Sequence, residues 1–337
     1  MRNSIHPHFL NRGYKMIITI SKCKFSFTVT VPILVFSVLI GLSQAHSQPS
    51  DLPIIASRHL FDIQSGFLHP SDVTVGAKGQ IYVLDGVNDR VKVFSSNGKY
   101  LSSFGSPGTG NGGFNHPLGI DSVKEGSIYV ADTGNRLIQV FTATGQFKFQ
   151  FPVEVKDSPR PPDPVDVVVD DELDRCYVID NDNHRVLLYP KEGSRLLKVW
   201  GVSGEKPGEF HFPFLGALDN QSHLYVVDVL NTRVQAFNPE GRAMAYIGKW
   251  GVDRGQFYRP KGVTVDGKDR IYVSDSYLGV IQVFKRFRKF LGVLGNGDNQ
   301  LLRFKTPVGI YIDDNFRLYV VEMLLNKVSV YQLTDKD

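Results

Sequence analysis

The sequence predicts an all-β fold: a six-bladed β-propeller of four-stranded antiparallel blades, its ring closed by the N-terminal strand. Three observations carry this. A tyrosine recurs as Tyr82, Tyr129, Tyr177, Tyr225, Tyr272 and Tyr319, at spacings of 47 or 48 residues. A proline keeps step as Pro70, Pro117, Pro164, Pro213, Pro260 and Pro307, 12 residues before its tyrosine, or 13 in the third copy. The unit of about 47 residues holds no amphipathic helical stretch, and that is the length of a four-stranded propeller blade.

The strands follow in order within each unit. Strand a comes after the proline, as in "SDVTV", "KGVTV" and "VGIYI". Strand b is the tyrosine run, such as "IYVAD"; strand c is "RVKVF" or "IQVF"; strand d is "KYLSSFG", "RLLKVWG" or "RKFLGVLG". The b strands are continuous apolar runs, as expected of a sheet covered on both faces by neighbouring blades. Only six residues follow Tyr331, too few for a sixth strand d. The unassigned apolar segment Ile54 to Ile63, "IIASRHLFDI", is expected to supply it and to close the ring.

Asp85, Asp132, Asp180, Asp228 and Asp275 end strand b, and Asn88, Asn135, Asn183 and Asn231 come three residues later. Asp accepts hydrogen bonds from nearby backbone N–H groups and Asn tolerates positive φ, so both suit the b–c turn. Arg90, Arg185, Arg233 and Lys327 are expected to tie one blade to another through a carboxylate. Repetition in every blade assigns these residues to architecture rather than to metal sites.

These residues resemble the NHL-repeat family: a proline-led first strand, then "YVAD", "N-x-R", "VQVF" and a closing Phe-Gly. The resemblance covers about residues 54–331 and implies a six-bladed propeller. The fifth and sixth copies depart from it, with Leu278 and Leu325 in place of the turn Asn and Glu322 in place of an Asp. Less regular b–c turns are expected there.

Residues 1–45 read as a secretory signal, with Arg2, Arg12, Lys15, Lys22 and Lys24, an apolar run from Phe25 to Leu42, and Ser43-Gln44-Ala45 at the cleavage site. An uncleaved membrane anchor is the alternative, and Met16 is an alternative start. Either way residues 46–337 are exported, to the periplasm or the cell exterior, with membrane contact only if the leader is retained. The leader carries five of the 38 Lys and Arg and no acid, which leaves 33 against 34 Asp and Glu. That balance opposes nucleic-acid binding. Cys176 alone remains after the leader, so no internal disulfide forms.

Strand direction alternates, so the b–c turns and the long d–a connections share one face, and the a–b and c–d turns share the other. Binding concentrates on loops of a rigid scaffold, which makes the d–a face the candidate functional face. The mouth of the channel there is ringed by Ser71, Leu118, Val165, Phe214, Lys261 and Val308, with Asp72 and Asp166 one residue further in. The candidate ligand-binding residues are Ser71, Asp72, Asp166, Phe214 and Lys261; the alternative is that the ring side chains simply fill the centre. The Gly-rich Gly105–His116 loop precedes a strand rather than a helix, so it reads as a flexible connector and not a phosphate cradle. The Pro-rich Pro152–Asp163 stretch reads as a stiff connector or a recognition feature. "KRFRK", Lys285 to Lys289, lies on the opposite face and reads as a solvated hairpin, with contact to an anionic surface such as lipid or polysaccharide as the alternative.

Some propellers that resemble this one are enzymes. The peptide-amidating lyase holds a zinc with histidines that follow the blade prolines, positions occupied here by Ser71, Leu118, Val165, Phe214, Lys261 and Val308. His69, His116 and His211 stand before their prolines instead. Lactonase-like propellers need an inner cluster of Glu, Asn and Asp, of which only Asp72 and Asp166 are in place. The reading is therefore an exported, monomeric, non-catalytic propeller without cofactor or metal that binds a protein, peptide or glycan; a metal-dependent enzyme is the alternative.

Overall fold

Four separate four-stranded antiparallel sheets, and one eight-stranded sheet made of two joined blades, stand around a central channel. The computed structural model describes residues 52–286 and 289–334. The leader lies outside them, and the described residues fall within one compact unit, Pro49–Asp337. Blade 1 sets the pattern from channel to rim: strand a Asp72–Val75, b Ile81–Asp85, c Arg90–Phe94 and d Tyr100–Phe104.

The ring closes through the N-terminal strand. Ile54–Ile63 runs antiparallel to Lys327–Leu333, strand c of blade 6, with Ser57 opposite Leu333 and Ile63 opposite Val328. Its first residues add a contact that the repeat does not announce. Ile54 to Ala56 run parallel to Val293–Gly295 of blade 5, and this joins blades 5 and 6 into the eight-stranded sheet.

Because residues alternate across a strand, each b strand feeds two interfaces. Ile81 and Val83 pack toward blade 6, while Tyr82 and Leu84 pack toward blade 2. The core is thus six apolar layers, one per blade junction. A buried Phe→Ala change in such a layer costs about 3–5 kcal/mol.

The b–c turns correct two expectations. The left-handed residue is not the Asn but the next one, Asp89, Arg136, His184 and Thr232. The sixth turn is as regular as the first two: Met323–Leu325 forms the same short 3₁₀ turn as Gly86–Asn88, with Asn326 taking the left-handed position. Blade 5 does differ, since Gly279 donates back to the Asp275 carbonyl.

The Gly-rich loop is ordered, and its turn recurs. Gly108, Gly204 and Gly251 donate to the carbonyls of Phe114, Phe210 and Phe257, all three fully buried. The glycine that ends strand d is required by these rings. A methyl group at Gly105, Gly201 or Gly248, all at φ near +90°, would overlap the Phe ring of its loop.

Candidate functional site

The aspartates that end strand b hold the d–a loops. In every blade the carboxylate accepts a backbone N–H from the residue 17 positions earlier: Leu68 to Asp85, Asn115 to Asp132, Asp163 to Asp180, His211 to Asp228, Tyr258 to Asp275 and Lys305 to Glu322, all at 2.7–2.8 Å. The partner is thus the loop ahead of the blade proline, in addition to the b–c turn. In blade 3 the register holds and only the proline moves one place, which accounts for its spacing of 13.

The turn Asn and the Arg complete this latch. Asn231 Nδ2 and Arg233 Nε donate to Asp228 Oδ2 at 2.9 and 2.8 Å, and the Arg233 guanidinium also donates to the carbonyls of Glu205, Lys206 and Glu209. The arginines therefore pair with the carboxylate of their own blade, not with one on another blade. Sequence reasoning missed a further member, the Gln of "IQVF" and "VQAF". Gln139, Gln235 and Gln282 each accept from a loop N–H and donate to a loop carbonyl. A polar residue amid a buried apolar run was the available signal. The Pro-rich stretch is tied down likewise, through Arg185 to Ser158 Oγ and Asn183 to the Pro161 carbonyl.

At the channel mouth on the d–a face, side chains of neighbouring blades pack together. Val165 and Val308 are buried, and Phe214 belongs to the layers on both sides of blade 4. Lys261 Nζ sits 4.4 Å from the centre of the Phe214 ring, and burial, with Arg259 beside it, lowers the lysine pKa.

The open space lies at the other end. A cavity of about 1030 Å³ runs from Asp72 and Asp166 to the a–b turns, including Gly76, Lys124, Glu172, Gln221 and Asn315. Of the five candidate residues, Asp72 and Asp166 line this cavity, whereas Ser71, Phe214 and Lys261 do not. Asp121, not singled out from sequence because it stands four residues after its proline rather than two, joins them.

Each of these three carboxylates reaches the innermost strand of the next blade: Asp72 accepts from Ile120 N–H at 3.1 Å, Asp121 from Val169 at 2.8 Å and Asp166 from Gly216 at 2.8 Å. Burial pushes the Asp72 carboxyl up to about 8 and that of Asp121 to about 7, against these backbone donors. Asp166 is raised well above the usual carboxylate range by burial and then by the charge of Asp72. Two glycines admit the carboxylates, since a methyl at Gly119 would overlap Asp166 Oδ1 and one at Gly309 would overlap Asp72 Oδ1.

The histidines and carboxylates of the enzyme alternative have other partners. His69 is held through its N–H by Asn326, while the rings of His116 and His211 bond Asn115 and Asn231. The channel carboxylates spend their oxygens on backbone donors. Among the described residues no group of three or more His, Cys, Asp or Glu side chains is placed to hold a metal ion.

The two outer faces differ sharply. Of the seventeen exposed large apolar side chains among the described residues, ten stand on the d–a face: Leu68, Val87, Val202, Leu230, Trp250, Val252, Tyr258, Tyr277, Leu324 and Leu325. Only Leu173 stands on the a–b face, and the remaining six lie on outer strands or just before them. On that a–b face Arg286 does not point to solvent as a free cation. It donates to Gln221 Oε1 at 2.7 Å and lies 3.3 Å from Asp219 Oδ2, which corrects the solvated-hairpin reading of this residue.

Comparison with known proteins agrees with this architecture. Residues 67–94 and 114–141 match the NHL repeat model. A virginiamycin B lyase from Staphylococcus aureus superposes with a TM-score of 0.57 at 12% identity, over 80% of this chain and 82% of that one. A gluconolactonase from Xanthomonas campestris gives 0.61 at 16% identity, over 86% and 99%. A protein of unknown function from Bacteroides thetaiotaomicron gives 0.61 at 16% identity, over 83% and 75%. At such identities the likeness concerns the fold alone. No curated protein matches the chain in sequence.

Proposed function

We propose that this chain, an NHL-repeat β-propeller, is an exported, non-catalytic scaffold that binds a protein or peptide partner through its d–a face. One observation carries the reading: among the described residues, ten of the seventeen exposed large apolar side chains gather on that face, against one on the face opposite. Exposed apolar side chains gathered on one face are the make-up of an interaction site. The latches supply the other half of the argument. They hold six loops rigid, so little ordering entropy is lost when a partner docks.

The candidate ring on the channel mouth is reassigned within this reading. Phe214 and Lys261 fill the mouth, and contact falls to the loop residues around it. Export rests on the leader, and cleavage after Ala45 would leave His46 as the first residue.

Site-specific photocrosslinking in the producing cell tests the reading. A photoreactive residue at Val202 or Leu324 is expected to give discrete protein adducts in the envelope or secreted fraction, and one at Leu173 is expected to give none. Adducts from Leu173 alone would place binding on the wrong face. Intact mass of the exported protein checks the start at His46; retention of residues 16–45 would make the leader an anchor.

A further inference from the structure

On the d–a face, one sector of blade 5 combines aromatic rings with exposed positive charge. Tyr258 and Tyr277 stack with centroids 4.0 Å apart and planes 24° from parallel, and the Trp250 ring lies 6.4 Å from Tyr258. They are 36%, 63% and 71% exposed, with Val252 beside them in sequence at 67%. Trp250 and Tyr258 come from the loop entering blade 5, and Tyr277 from its b–c turn.

The platform is rigid although it is exposed. Tyr258 N–H and Tyr277 N–H both donate to the buried Asp275 carboxylate, at 2.7 and 3.1 Å. Ser276 N–H donates to the Arg259 carbonyl, and Trp250 is bridged to Phe257. Arg303 Nη1 donates to the carbonyl of Leu278, the residue after Tyr277, at 2.8 Å.

Residues 249–259, 276–279 and 301–305 carry Lys249, Arg254, Arg259, Arg303 and Lys305 against one acid, Asp253. All five cations are exposed, and among the described residues none forms an ion pair. Elsewhere in the ring the pattern is the reverse: Arg185 and Arg233 lie 2.7 and 2.8 Å from carboxylates of their own blades. Like charges left together on a rigid surface call for opposite charge from outside.

We infer that this platform, Trp250, Tyr258 and Tyr277 flanked by Arg259 and Arg303, receives an acidic polypeptide segment that also carries aromatic or aliphatic side chains. The inference rests on the proposed binding role of the d–a face and names the chemistry of the partner. Trp, Tyr and Arg are the residue types that dominate protein interfaces, and all three meet here. A polyanion without apolar groups would use the cations and leave Trp250 and Val252 in water.

Fluorescence anisotropy with the full-length chain in mild detergent tests it, using a labelled random glutamate–tyrosine copolymer as probe. Polyglutamate, polygalacturonate and an oligothymidylate serve as competitors. The copolymer is expected to bind about tenfold or more tighter than polyglutamate, and to weaken as salt rises. Arg259→Glu with Arg303→Glu, and separately Trp250→Ala with Tyr277→Ala, are each expected to weaken it about tenfold or more at an unchanged melting temperature. Lys78→Glu with Lys99→Glu, on the opposite face, should leave it unchanged.

Preferential binding of polygalacturonate or oligothymidylate through the same residues overturns the polypeptide assignment, and so does the absence of any copolymer binding. If copolymer binding fails while crosslinks from Val202 and Leu324 persist, the face is right and the chemistry wrong. If both fail, the binding role itself falls.

Discussion

Lys327 Nζ lies 2.8 Å from Asp62 Oδ2, although the two residues are 265 apart in sequence. The pair sits on the seam where the N-terminal strand completes blade 6. Lys327 also reaches Glu322, and these carboxylates hold its pKa above the ordinary value against burial. The contact marks the seam; the apolar layer of Ile63, Val328 and Val330 behind it holds the seam shut.

Deleting residues 52–63 should therefore lower the thermal midpoint sharply or abolish folding, because it exposes the edge of Lys327–Leu333 and half of an apolar layer. Asp62→Ala, which removes the partly exposed contacts to Lys327 and His59, should cost no more than about 1 kcal/mol. Thermal denaturation of the two variants compares them. Equal midpoints for the deletion and the parent would remove the closure argument.

The latch predicts a large effect from a single buried carboxylate. Asp228→Ala leaves the Arg233 guanidinium buried without its counter-charge and strips the His211 N–H of its acceptor, for a loss of about 3–5 kcal/mol. Asp228→Asn keeps an acceptor and should fall between that variant and the parent. Denaturant titration gives the ranking. A parent-like Asp228→Ala would show that the loops are held by packing alone.

The channel carboxylates predict that stability falls as pH rises. An unfolded Asp titrates near about 3.9, whereas burial holds folded Asp72 up to about 8 and Asp121 to about 7. Between those values the folded state binds more protons than the unfolded state, so these groups favour folding fully below about pH 4 and lose that contribution progressively to about pH 8. Asp72→Asn keeps an oxygen for the Ile120 N–H and removes the titration. The variant should melt higher than the parent at pH near 8 and show a flatter midpoint between about pH 5 and 8. Parallel curves for the two proteins would contradict this.

Phe214 and Trp250 should part company. Phe214→Ala removes a partly buried ring packed against two layers and should lower stability, by less than the about 3–5 kcal/mol of a fully buried ring. Trp250→Ala removes an exposed ring and should leave the midpoint within about 0.5 kcal/mol of the parent, yet weaken crosslinking from Val252. Melting curves and adduct yields, measured on the same preparations, would expose a mistaken division if Trp250→Ala unfolds the protein.

Blade number, strand order and closure by Ile54–Ile63 were legible in the chain because they depend on local quantities: a period, an apolar run, a count of residues left over after Tyr331. The latch was legible too, had the constant separation of 17 between each loop residue and its carboxylate been read beside the period. Tertiary structure alone decided that the cavity runs along the innermost strands to the a–b turns. That outcome depends on how strands of different blades come to face one another, and no spacing along the chain encodes it. It also decided that Trp250, Tyr258 and Tyr277 form one surface and that Asp72, Asp121 and Asp166 line one cavity. Residues on different turns and blades become neighbours only when the ring closes, and burial, which sets the charge of those aspartates, exists only then.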